Sequence, residues 1–245
     1  IYKNQSQLKD EKKKLISKKL QFEKKNNKKW DERSRLEIYQ DLKKENSNIV
    51  IRVQPLNSLD KKNIEIFPLS GISNSETIHC NENGYYSIYK SDRYGFNNPD
   101  QEWDSLQIKF LLIGDSFTHG SCVNRPNDIA SVLRKLSKQS VLNLGYGGNG
   151  PLIEYATLRE YSKVNKIKNI IWIYNENADL LDLSKEKNNL FLKQYLSSYD
   201  FSQNLINKQN KIDILLKNNF DLELKKKKNT EKNKNYKKLK SDNIK

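Results

Sequence analysis

Three short apolar runs, each closed by a small or polar residue and separated by stretches of helical periodicity, constrain this chain more than any other feature. Ile108 to Ile113 ends in Gly114, Val141 to Leu144 ends in Gly145, and Asn169 to Tyr174 leads into Asn175. Between them, residues 127 to 138 place Ile129, Val132, Leu133 and Leu136 on one helical face, and residues 152 to 166 do the same with Ile153, Ala156, Leu158 and Tyr161. Alternation of this kind predicts a right-handed parallel α/β sheet, in which ligands bind beyond the carboxyl ends of the strands. Three strands are fewer than open α/β sheets usually have, so the domain is expected to be incomplete at its C-terminal side.

The flanks read differently. Residues 1 to 48 form a charged helical extension, with helix expected over 3 to 45. Residues 49 to 106 form an irregular, turn-rich apron containing two β-branched pieces, Ile49-Val50-Ile51 and Ile64-Glu65-Ile66-Phe67. The α/β domain occupies 107 to 224, helical again from Asn188, and a Lys/Asn-rich tail over 225 to 245 is expected to be unfolded. The formal net charge of +15 would suggest a nucleic-acid or anionic-surface binder if it were evenly spread. It is not: residues 1 to 50 hold 15 Lys and Arg against 8 Asp and Glu, residues 217 to 245 hold 11 against 4, and residues 51 to 216 hold 19 against 18. A near-neutral centre argues against nucleic acid as the partner. No stretch of about 18 apolar residues occurs, so a membrane would be met only through an anchor or signal ahead of Ile1, which would make the protein extracytoplasmic.

The first strand ends in Gly114-Asp115-Ser116-Phe117-Thr118-His119-Gly120. Glycine permits a tight exit from the strand, and a serine hydroxyl at the start of the next segment lies close to unpaired backbone N–H groups, which suit attack on an acyl carbon. The plainer reading is that Asp115 or Ser116 caps a helix. Residues 111 to 120 resemble the first signature block of the SGNH/GDSL hydrolases, and Asn143-Leu144-Gly145-Tyr146-Gly147-Gly148-Asn149-Gly150-Pro151 resembles their second. The resemblance covers residues 80 to 183 closely and 188 to 210 loosely. It implies a three-layer α/β/α sandwich with a flavodoxin-like parallel sheet, Ser116 as nucleophile, the Gly145 N–H as an oxyanion donor, and a small-molecule or carbohydrate ester as substrate. It implies no cofactor and no metal. The G-x-S-x-G elbow is absent, and the glycine-rich run Gly145 to Gly150 passes directly into Pro151, which argues against a dinucleotide-binding loop.

Two family features depart. The third block expects an asparagine donor where Ala178 stands before Asp179, leaving Asn177 as the expected substitute. The family's C-terminal Asp-x-x-His, source of the general base, does not occur after Asp179. The chain's histidines are His79, in the apron, and His119, expected to pack against the turn. Two readings follow: an esterase or acyltransferase whose base lies outside these 245 residues, or an inactive SGNH-like glycan-binding or scaffold module. Cys80 and Cys122 lack zinc-site spacing; pairing them would tie the apron to the nucleophile loop, and two separate buried thiols are the equal alternative.

Overall fold

The computed structural model describes residues 5–61, 64–163, 166–176 and 178–222. The expected tail over 225 to 245 and Asn177 lie outside the described residues. The chain is mixed α/β, and its strongest element is the apolar run anticipated from sequence. β4 (Gln107–Gly114) lies at the centre of a parallel sheet, between β5 (Val141–Asn143) and β6 (Lys166–Ile173). Register is set by Phe110 opposite Val141 and Asn169, and by Gly114 opposite Ile173.

Side-chain alternation along β4 sends neighbouring residues to opposite faces, and a helix meets each face. Leu112 packs with Ala130 of α4 (Ile129–Ser137), whereas Leu111 and Ile113 share a core with Leu152, Ile153 and Ala156 of α5 (Pro151–Tyr161). β6 forms the outer strand, and its Ile170, Ile171 and Trp172 are 50%, 37% and 42% exposed. On the opposite edge, the Asn98 side chain stands in for a neighbouring strand. Its Oδ1 accepts from Asn143 N at 2.8 Å, and its Nδ2 donates to Asn143 O at 2.8 Å.

The apron is more regular than its turn-rich composition suggests. Residues 49 to 90 build a second sheet, with β1 (Ile49–Ile51) parallel to β2 (Glu76–Ile78) and β2 antiparallel to β3 (Ile88–Lys90). The piece expected as a strand at Ile64 to Phe67 is irregular, because Ile66 and Phe67 are drawn into the main core with Leu69, Phe96 and Trp103. Each such side chain, fully buried, contributes about 1.5–3 kcal/mol. Asp92 organises the polar part of this junction: it accepts from Tyr94 N and Phe96 N at 2.9 Å and from Asn98 Nδ2 and Trp103 Nε1 at 2.8 Å.

The single helix expected over 3 to 45 is two, α1 (Gln5–Asn26) and α2 (Arg35–Leu42). The second starts at a capping box in which Ser34 and Glu37 bond each other's backbone, a stop-and-restart signal inside the charged sequence. Past β6, α6 (Asp179–Glu186), α7 (Leu190–Ser197) and α8 (residues 209–222) follow. Glu186 caps α5 from a distance, accepting from Gly150 N at 2.6 Å and Leu152 N at 2.9 Å.

Close by, burial pushes the Glu154 carboxyl up from 4.5 to about 8, although Trp172 Nε1 donates to it at 2.6 Å; the neighbouring charges of Asp179, Asp115 and Glu186 push the same way. Between pH 4.5 and 8 the folded chain therefore keeps a proton that the unfolded chain releases, and stability falls as pH rises through that window. Melting temperatures at pH 5 and pH 8 are expected to converge in Glu154→Gln relative to the parent; an unchanged gap would show that Glu154 does not drive the slope.

Candidate functional site

Two parallel strand pairs point their carboxyl ends at the same space. From the main sheet come the loops after β4 and β5; from the small sheet come Arg52, directly after β1, and His79, directly after β2, with Arg52 N donating to Ile78 O at 3.0 Å. Together they enclose a cleft of about 620 Å³ lined by Ser116, Ser121, His79, Arg52, Gly147 and Gly148 among others.

Ser116 opens the short helix α3 (Ser116–His119) and is half-buried. The turn that places it requires glycine at 114, where φ is +152° and a side chain would collide with the Thr118 hydroxyl and stand 2.6 Å from the Ile173 carbonyl. Asp115 caps α3 by accepting from Phe117 N at 3.1 Å, so the capping role weighed for this motif is real. The same carboxylate accepts from Ser116 Oγ at 3.2 Å. Ser116 thus stays free to line the cleft while its neighbour does the capping. Among the described residues its backbone N–H has no acceptor.

The second glycine-rich loop separates structural from exposed positions. Gly145 N–H, expected as an oxyanion donor, donates to Asn143 Oδ1 at 2.8 Å, and a Cβ there would meet Thr118 and His119. Gly145 backs the Ser116 turn and is not among the residues that line the cleft. Asn143 completes the brace by donating from Nδ2 to Thr118 O at 2.6 Å. Farther along, Gly147 N–H donates to His119 Nδ1 at 3.0 Å, while Gly148 lines the cleft and its N–H has no acceptor among the described residues. Ala178 is the N-cap of α6 and offers no side-chain bond; Asn177 is not among the described residues.

The two histidines, 40 residues apart in sequence, pack against each other with their rings tilted by 34°. Their rings lie 4.3 Å apart, and His119 in turn stacks on Tyr146 at 4.6 Å. His119 is fully buried and, as expected, packs against the turn; its Nδ1 acts as acceptor, which fixes the proton on Nε2. His79 faces the cleft and pairs with Ser121 through Nε2, 3.2 Å from Oγ. Burial, then the charges of Arg52 and Arg35, lower His79 to about 2, and burial holds His119 well below its ordinary range. Both imidazoles are therefore neutral at pH 7.

The pairing of Cys80 with Cys122 is what places these groups: the disulfide, with Cα atoms 5.0 Å apart, joins the residue after His79 to the residue after Ser121. Ser121, Arg52, Gln54 and Gly148 belong to the site although sequence reasoning did not single them out. The one usable signal was adjacency, since joining the two cysteines brings positions 79 and 121 together. No protein-family model, curated protein or solved structure matches the chain.

Proposed function

We propose that the chain is an SGNH-like serine acyl-ester hydrolase or acyltransferase domain, with Ser116 as nucleophile. The observation that carries the proposal is the position of Ser116: in a cleft at the carboxyl end of the central parallel strand, which it shares with Gly148, both with backbone N–H groups that have no acceptor among the described residues. Such donors stabilise the oxyanion that forms as a hydroxyl attacks an ester carbonyl. Gly148 takes the role that the family resemblance gave to Gly145. The fold belongs to the same proposal. Strand order β5-β4-β6 matches the start of a flavodoxin-like 2-1-3-4-5 sheet, and α4 and α5 on opposite faces fit a three-layer α/β/α sandwich.

Ser116→Ala tested against a fluorophosphonate probe decides the nucleophile. A second, positional test uses Gly147. A methyl added there would stand 3.2 Å from Ser121 Oγ, 3.3 Å from Arg52 Nη1 and 3.5 Å from Ser116 Cα. Gly147→Ala is expected to slow labelling of the serine by about tenfold through misplacement of the reacting groups, at a stability cost of about 1–3 kcal/mol. Labelling at the parent rate in a folded Gly147→Ala protein would remove this loop from the reacting geometry.

One observation favours a second reading, a non-catalytic glycan-binding module. Ser116 Oγ donates to Asp115, and the imidazole in the cleft pairs with Ser121 instead. That reading expects ligand binding with no labelling of any serine.

A further inference from the structure

Three of the chain's arginines are neutralised where they stand. Arg33 meets Asp31 and Asp41, Arg93 meets Asp100 and Asp104, and Arg134 meets Glu102. Arg35 and Arg52 differ. Among the described residues neither has a carboxylate within salt-bridge distance, and both line the cleft at Ser116. Arg52 donates from Nη1 to Gly147 O at 2.6 Å and lies over the Tyr146 ring, 5.7 Å from its centroid, while its Nε is buried without an acceptor among the described residues. Arg35, at the start of α2, has no hydrogen-bond acceptor among the described residues; burial and then the charge of Arg52 lower its pKa. Two half-buried like charges thus line one cleft with no carboxylate at salt-bridge distance among the described residues, an arrangement that an anion between them would relieve.

Among the described residues Asp128 and Glu82 are the carboxylates that line the cleft, and Asp115 lies buried behind Ser116. Asp128 bonds Ser131 N and Oγ at the start of α4, and Asp115 bonds Phe117 and Ser116. Glu82 is exposed and bonds neither arginine. The arginine pair is also a shared wall. Beyond it the surface opens into a second cavity of about 580 Å³, where Asn57, Asn81 and Tyr86 take part in the lining. The Asn81 amide is engaged by Asp31 O and Gly84 N and the Tyr86 hydroxyl donates to Arg33 O, which leaves the Asn57 amide to meet a sugar hydroxyl; two adjoining cavities suit a chain of sugars rather than a single small ester.

We propose that the cleft recognises an acidic glycan, with Arg35 and Arg52 holding the carboxylate of a sugar next to the one whose ester faces Ser116. This rests on the reading of Ser116 as an acyl-transfer nucleophile, but recognition can be measured without turnover. Titration calorimetry of the full chain with short oligogalacturonates and with neutral malto-oligosaccharides is the test. The acidic oligomers are expected to bind, more weakly as salt rises, and the neutral ones not to bind. Arg35→Gln is expected to weaken acidic-oligomer binding by tenfold or more, Arg35→Lys to restore part of it, and Lys135→Gln, which removes an exposed charge on α4, to change nothing. Lys135→Gln guards against non-specific attraction to a chain of net charge +15.

Equal binding of both glycan classes, no binding of the acidic one, or equal losses in Arg35→Gln and Lys135→Gln would each overturn the proposal. A folded Arg35→Gln protein, verified by its melting curve, that binds like the parent would do the same. Selective binding without fluorophosphonate labelling would sink the catalytic reading and leave acidic-glycan recognition standing; labelling without selective binding would do the reverse.

Discussion

Ser116→Ala is expected to abolish fluorophosphonate labelling and to bring the turnover of p-nitrophenyl acetate down to the background rate, a smaller fall than in an enzyme whose base is in place, because losses within one catalytic unit do not add. The fold should survive. The side chain is half-buried and its one bond, to Asp115, is worth about 1 kcal/mol. Peptide mapping of the labelled protein adds a sharper test, because Ser121 lies in the same cleft and, unlike Ser116, is already paired with an imidazole. Label on Ser116 supports the assignment. Label on Ser121 would replace the nucleophile while keeping the cleft, and no label on either would favour the binding module. The neutral state of His79 bears on the rate: a pKa near 2 makes it a weak base, so turnover by this chain is expected to be slow and flat between pH 5 and 8 unless a stronger base joins the site.

The parallel sheet was legible because its information is local. From Phe110 to Ile113 β4 is an apolar run covered on both faces, and the spacing in α5 belongs to a helix that covers one of them; in α4 the sheet is met by Ala130 and Leu133, while Ile129, Val132 and Leu136 of the expected face are exposed. The ends of elements were less legible. A single charged helix was expected where Ser34 and Glu37 restart the chain, and Ile64 to Phe67 has strand-like composition but is held irregularly by burial in the core. At the site, the Gly114-Asp115-Ser116 turn could be read, since it needs only residues in sequence. Gly145 and Gly148 could not be told apart, because their difference lies in a bond from Asn143 Oδ1 that depends on the path of the loop. Arg35 and Arg52 were hidden for a stronger reason. They reach the cleft from the other sheet and from α2, and nothing in the order of residues brings position 35 or 52 near 116.

Loss of the Cys80–Cys122 disulfide is expected to lower stability by about 4 kcal/mol, because the bond closes a loop between residues 42 apart whose entropy returns to the unfolded chain. For a chain of this length that is a fall in melting temperature of about 10 °C. The consequence for the site should exceed the consequence for the fold as a whole. His79 and Ser121 are each one residue from a bridged cysteine, and Cys122 is held at a positive φ of 59°, a backbone state that non-glycine residues adopt at a cost. Freed of the bridge, the apron can slide relative to the loop that carries Ser116 and Ser121. The 3.2 Å contact between His79 and Ser121 and the approach of Arg52 to Gly147 are then expected to loosen together. The double variant Cys80→Ser with Cys122→Ser, compared with the parent with and without reductant, tests both effects through a melting curve and the rate of serine labelling. Two titratable thiols in the unreduced native protein, or a double variant that melts and labels as the parent does, would mean that the bridge neither forms nor organises the cleft. Should the bridge form and the melting point fall while labelling is unchanged, the disulfide stabilises the apron alone, and the alignment of the two sheets at the cleft must come from the core they share.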